Sequence, residues 1–173
     1  YQCRSLGQAC KLLNPGTKEE QCTWVNRNDV EFPIIQPWQD ALLDRFKYTP
    51  DNTISPPDRG VKIENIDSTT KCVKAFSPIA FGVTLNEPAQ CKLDILRKNS
   101  FDEMDLYFSS ALYQYNHSYT ISLPGAKALE QENITIQNDG NYDIYVRCKD
   151  ANNNSNVATF VFKYCVDKGP DVT

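Results

Sequence analysis

Apolar and polar residues alternate in short runs along the later two thirds of the chain. The runs are VKIEN (61–65), IAFGVTL (79–85), AQCKLDI (89–95), SYTISL (118–123), NITI (133–136), YDIYVRC (142–148) and ATFVFKYCV (158–166). A period of two turns one face of a segment to the core and the other to water, so each run predicts a short, half-buried strand. About seven such strands in roughly 110 residues is the density of a two-sheet sandwich. One stretch breaks the alternation: in SFDEMDLYFSSALYQY, Phe101, Met104 and Phe108 recur at helical spacing, which predicts a short helix or compact loop across one edge.

The first 48 residues read differently. They hold Cys3, Cys10 and Cys22 close together, both tryptophans, and the stretch PWQDALLDRF, where Trp38, Ala41, Leu42 and Phe46 repeat at helical spacing behind Pro37. A short amphipathic helix is expected there, preceded by a small stapled loop with little core of its own. YTPDNTISPPDRG (48–60) is rich in residues that turn or stiffen the chain and marks the best boundary. We therefore expect an all-β protein: a Cys-rich N-terminal extension and linker over 1–55, then an immunoglobulin-like antiparallel two-sheet sandwich over 56–173. The closing KGPDVT echoes that boundary, as a spacer before another module would, and a start at Tyr1 reads as a processed product or a piece of a longer chain.

Strand parity assigns the later cysteines. Tyr142, Ile144, Val146 and Cys148 share a core face, as do Ala158, Phe160, Phe162 and Tyr164, which leaves Cys165 on the outer face beside Lys163. Cys148 and Cys165 should therefore not pair, although their strands are neighbours. Cys91 alternates with Ala89 and Leu93 and has core parity, so Cys91 to Cys148 is the expected inner bridge. Cys72, between lysines, is left to Cys165. Cys3, Cys10 and Cys22 then supply one local bridge and one leftover thiol.

Composition narrows the class. Hydrophobic residues make up 40% and charged residues 23%, enough apolar material for a packed core rather than a disordered chain. A net charge of -4 with scattered basic residues argues against a nucleic-acid partner. No run approaches the roughly 20 apolar residues of a membrane helix, so no membrane insertion is expected. Seven cysteines without a Cys-x-x-Cys pair favour disulfides in an oxidising compartment over a metal site, and three glycosylation sequons, at Asn116, Asn133 and Asn153, agree with an extracellular glycoprotein.

YDIYVRCKDANNN resembles the late strand and following turn of fibronectin type III and other immunoglobulin-like repeats on bacterial and archaeal cell-surface proteins. FGVTLNEPAQCKLDI is similar to the earlier strand pair of the cysteine-bearing variety, and HSYTISL to a middle strand. Asn154 stands where the turn glycine is usual, and no tryptophan lies in the third strand, which argues against an antibody-type domain.

Candidate chemistry is sparse. His117 is the only histidine, sits inside a sequon, and reads as a surface or strand-edge residue, with no nucleophile elbow elsewhere. Asp102, Glu103 and Asp105 read as solvated charges. Asp150, Asn152, Asn154 and Asn156 alternate as calcium ligands do, but the glycine and bidentate glutamate of a calcium loop are missing, so a plain turn is favoured. Trp24 and Trp38 admit a sugar platform, with packing of the N-terminal segment the favoured alternative. The expectation is a non-enzymatic, cofactor-free structural or adhesive module of a surface filament or layer. Its partners would be copies of itself or neighbouring surface proteins, with glycan binding as the alternative.

Overall fold

The computed structural model describes residues 10–24, 32–74, 77–122, 141–156 and 158–167. The protein is all-β. Among the described residues a hairpin of β1 (Cys10–Leu13) and β2 (Gln21–Trp24) stands apart from a nine-stranded sheet. That sheet contains β3 (Ile35–Pro37), β4 (Phe46–Pro50), β5 (Arg59–Asn65), β6 (Val73–Lys74), β7 (Pro78–Asp94), β8 (Leu106–Tyr107), β9 (Gln114–Ser122), β10 (Asn141–Asp150) and β11 (Phe160–Asp167).

The sheet is organised by β7. Its first part pairs antiparallel with β9, its last part pairs antiparallel with β10, and the register shifts between Thr84 and Ala89. Such an irregularity bends a strand and strengthens its twist. Two runs expected as separate strands, 79–85 and 89–95, are thus one strand, with Ile79, Phe81, Val83, Leu85, Ala89, Cys91 and Leu93 all buried. From β10 the order continues through β11 and β5 to β4, with β11 parallel to both β5 and β6.

The bend leaves the sheet nearly closed on itself, and the core fills the interior. Phe81 of β7 meets Phe162 of β11 at 4.9 Å between ring centroids and Phe108 edge-on at 5.4 Å. The Tyr48 side chain crosses the core from β4, where its hydroxyl donates to Trp38 O and accepts the Gly82 N–H, each at 3.1 Å. Gly82 is required at this approach, since a Cβ would lie 2.5 Å from His117 O and 3.0 Å from the Trp38 ring.

Two expected elements differ. PWQDALLDRF forms a single 3-10 turn, Gln39–Ala41, rather than an amphipathic helix. Trp38 N is tied to Gly82 O at 2.8 Å and Phe46 is drawn into β4, so both ends of the apolar repeat are held by the sheet. The expected linker 48–60 is largely the connection of the β4–β5 hairpin, in which Tyr48 pairs with Ile63 and Pro50 with Val61. Its turn-forming composition serves a turn inside one sheet, and β3 and β4 belong to that sheet with the later strands. At 101–108 a 3-10 turn, Phe101–Glu103, precedes β8, and Phe101, Met104 and Phe108 are buried as their spacing implies. The run at 133–136 lies outside the described residues.

Asn14 docks the β1–β2 hairpin. Its amide donates to Tyr113 O at 2.8 Å and accepts from Tyr113 N at 2.7 Å, beside the buried Leu13. Among the described residues no helix is long and apolar enough to cross a membrane.

Candidate functional site

Among the described residues two disulfides are present, Cys91–Cys148 and Cys72–Cys165. Cys91 and Cys148 are fully buried register partners on β7 and β10, with Cα atoms 4.1 Å apart, so this bridge lies within the sheet. Cys72–Cys165 ties the loop after β5 to the outer face of β11. Cys22 is exposed and unbridged; Cys3 and the Cys10 side chain lie outside the described residues.

His117 is not on the surface. It is 1% exposed on β9, where Nε2 faces Ala89 O at 2.8 Å and Gln114 O at 3.1 Å, and Nδ1 faces Ser109 Oγ at 3.3 Å. Nε2 therefore carries the proton that these carbonyls accept, and burial lowers the pKa, keeping the ring neutral. An imidazole so engaged fastens the bent part of β7 to β9. It was missed because parity alone does not reveal that a polar side chain will find backbone acceptors in the core.

The island 150–156 is a turn built around Asp150, which is 1% exposed. Its Oδ1 accepts from Asn152 N at 2.9 Å and Asn154 N at 2.8 Å, and Asn153 takes a left-handed φ of 67°. Asn156 turns back to bond Cys148 N and Pro33 O. Among the described residues no group of His, Cys, Asp or Glu is arranged to hold a metal. Asp102, Glu103 and Asp105 are exposed; Asp102 pairs with Lys149 at 3.4 Å and Glu103 accepts from Asn99 N. Asn116 and Asn153 are exposed, and Asn133 lies outside the described residues. Trp38 packs against Gly82, while the Trp24 side chain lies outside the described residues.

A surface crevice of about 380 Å³ lies where the β5–β11 ladder splits. These strands pair in parallel as far as Lys62 and Lys163, after which β11 continues beside β6 at Val166 and Val73. The chain between β5 and β6 closes the far side, and Cys72–Cys165 makes that closure covalent. Lys62, Lys163 and Lys71 border the crevice together with Glu64 and Asp143. Thr49 and then Lys71, 3.6 Å away, hold the Glu64 carboxyl below its ordinary pKa. Burial works to raise Asp51, next to Lys163 at 3.9 Å, but bonds from the Thr53 hydroxyl and N–H, with Lys163, outweigh it and keep the group ionised. Tyr142 and Tyr164 stack beside the crevice at 5.5 Å, and burial raises the pKa of both. Parity marks Lys62 and Lys163 as outward, but their adjacency depends on a parallel pairing that alternation does not encode.

Comparison with protein-family models, curated proteins and solved structures found no match for this chain.

Proposed function

We propose that this protein is an extracellular structural or adhesive module, a subunit or repeat of a surface filament or layer rather than an enzyme. The observation that carries this reading is the pair of nested disulfides, which fix β10 to β7 and β11 to the loop before β6. Bridges of this kind persist in oxidising compartments and suit a protein that must endure there without chaperones. The engagement of the only histidine by backbone carbonyls supports a non-catalytic role, and exposed sequons at Asn116 and Asn153 agree with a glycoprotein at the cell surface. The immunoglobulin-like or fibronectin type III-like character of 56–173 belongs to the same proposal. Its support is the antiparallel β7–β10–β11 core; against it stand the nearly closed sheet and a bridge lying within that sheet.

Native mass measurement and electron microscopy of the oxidised protein test the proposal. Ordered multimers or filaments are expected, and a strictly monomeric protein over the micromolar range would count against assembly. The second reading, a glycan-binding module, is favoured by the charged crevice between β5 and β11. It is tested on a glycan array, where saturable binding is expected.

A further inference from the structure

From the open edge of the sheet at β9 we infer that Asn116 carries an N-linked glycan, and that this glycan covers the edge and keeps it from pairing with another strand. This rests on the extracellular reading above and names the modified residue and what its modification does. Among the described residues β9 pairs with β7 alone, with Asn116, Ser118 and Thr120 opposite Thr84, Gly82 and Ala80. Gly82 directs its backbone groups to the far side of β7: its N–H donates to the Tyr48 hydroxyl and its carbonyl accepts from Trp38 N. Gly82 and Ser118 are therefore a non-hydrogen-bonded pair, so the N–H and C=O of Ser118 point away from β7. The alternation of an antiparallel ladder extends this to Asn116 and Thr120, and among the described residues β9 has no second neighbour to take these groups.

An open row of backbone donors and acceptors invites another strand, and chains guard it with lysine, proline, a bulge or an inward charge. β9, QYNHSYTIS, has no charged residue and no proline, and its register with β7 runs unbroken from Asn116 to Ser122. What it has is the sequon Asn116-His117-Ser118 within the open row. Asn116, Ser118 and Thr120 are exposed, while the intervening His117 is buried and fastens the strand to β7. Thr84 Oγ1 donates to Asn116 Oδ1 at 2.7 Å, which leaves Nδ2, the atom that takes the sugar, without a partner among the described residues. In the attachment Nδ2 bonds to the anomeric carbon of an oligosaccharide carried on a polyprenyl phosphate. The anomeric C–O bond breaks, the lipid phosphate leaves with the electron pair, and Nδ2 gives up a proton to the transferase. A strand added at β9 would lie about 4.8 Å away and set its side chains beside Asn116, in the space that the first sugar fills. The Asn153 sequon contrasts with this: it sits in the turn after β10 with a φ of 67°, its Ser155 hydroxyl is buried, and a glycan there guards no edge.

Glycopeptide mass spectrometry of the full chain secreted by its own host tests the attachment, and sedimentation with amide hydrogen exchange of that protein and its variants tests the role. Asn116 is expected to be occupied. Asn116→Gln and Ser118→Ala each destroy the sequon, and the second keeps the bond to Thr84; both should self-associate at least about tenfold more tightly than the parent, as a few added main-chain hydrogen bonds allow. In the associated species exchange should slow at the amides of 116, 118 and 120. Adding Thr120→Lys to either variant puts a charge on the bare edge and should return association to the parent level. Asn153→Gln should leave association unchanged. An unoccupied Asn116, association no tighter in either sequon variant, or unchanged exchange at the β9 amides on association overturns the inference. If Asn116 is bare and these amides are already protected in native multimers, a second copy pairs there: the assembly reading stands and this inference fails. If the glycosylated protein stays monomeric and the sequon variants associate through β9, this inference stands and the assembly reading fails.

Discussion

Removing the two disulfides one at a time separates chain entropy from packing, because the two effects rank the bridges in opposite order. The bridges are nested: Cys91–Cys148 spans 57 residues inside the 93 spanned by Cys72–Cys165. With the inner bridge intact, the outer one closes a loop of only 36 residues, the difference between those separations. On loop-closure entropy alone, deleting the outer bridge from the oxidised protein costs about 3.8 kcal/mol and deleting the inner one about 3.4 kcal/mol. Packing reverses the order. Cys91 and Cys148 are fully buried in the core cluster, so Cys91→Ala/Cys148→Ala also removes two buried sulfurs at about 1 kcal/mol each. The inner deletion then totals about 5.4 kcal/mol, comparable with the whole stability of a marginal domain at roughly 5–15 kcal/mol. Cys72 and Cys165 are only partly buried, so Cys72→Ser/Cys165→Ser carries little beyond the entropy term.

The assay is guanidinium unfolding of both variants and the parent without reductant, with slopes as well as midpoints compared, because losing a cross-link enlarges the unfolded ensemble. The inner variant should be the less stable by about 1.5 kcal/mol, with its larger loss traceable to the β7–β10 ladder. If the outer variant is as unstable or more so, burial of the inner sulfurs contributes nothing and the packing half of the reasoning is refuted.

Three further outcomes follow from individual side chains. Tyr48→Phe removes the hydroxyl that joins Gly82 and Trp38, and a loss of about 1–3 kcal/mol is expected, with faster amide exchange at Gly82; Tyr48 itself stays neutral, its pKa pushed up to about 12 by burial. His117 is neutral when folded because burial lowers its pKa, whereas the unfolded chain takes up a proton below about 6.5. Stability should therefore be complete above that pH and decline as pH falls from there toward the folded value, and the decline should be absent in His117→Gln. Asp51 and Asp58, whose pKa values are depressed, add a separate loss only at more acid pH. Asp150→Ala leaves the N–H groups of Asn152 and Asn154 without their acceptor, so limited proteolysis should move to 151–155 while the β10–β11 pairing persists.

Alternation carried the sequence a long way, and where it failed the failures share a cause. Parity needs only the twofold period of a strand, so it placed Cys91 and Cys148 inward and Cys165 outward, and from that the pairings that the structure contains. It also identified the strands at 61–65, 142–148 and 158–166. Contacts between strands distant in sequence were not legible. Trp38, Ala41 and Leu42 have helical spacing, yet the Trp38 bond to Gly82 leaves them one 3-10 turn against β7. A hairpin connection and an interdomain linker share proline, aspartate and glycine, so composition could not tell that 48–60 joins two paired strands. His117 looked like a surface residue because its acceptors, Ala89 O and Gln114 O, come together only where β7 shifts register.

The placement of the bridges connects durability to the crevice. In an antibody-type domain the core disulfide joins two sheets and packs on a tryptophan; here Cys91–Cys148 joins direct register partners that the β7–β10 ladder already pairs. Its contribution is therefore mainly to the unfolded chain and the core. Cys72–Cys165 is placed where β11 has left β5 and is only beginning to pair with β6, so the ladder there contributes least. An opening between strands is where local unfolding would start, since few interstrand bonds need to break. A covalent link across that point lets the sheet keep the split open without fraying. The charged crevice and the outer disulfide are in this sense one device: without the bridge the gap is a weak point, and with it the same gap becomes a rigid cavity. Reduction of the outer bridge alone should accordingly raise exchange at Ile63–Asn65 and Tyr164–Val166 before it affects the β7–β10 core, whereas uniform loosening of both regions would show that the two bridges act as a single clamp.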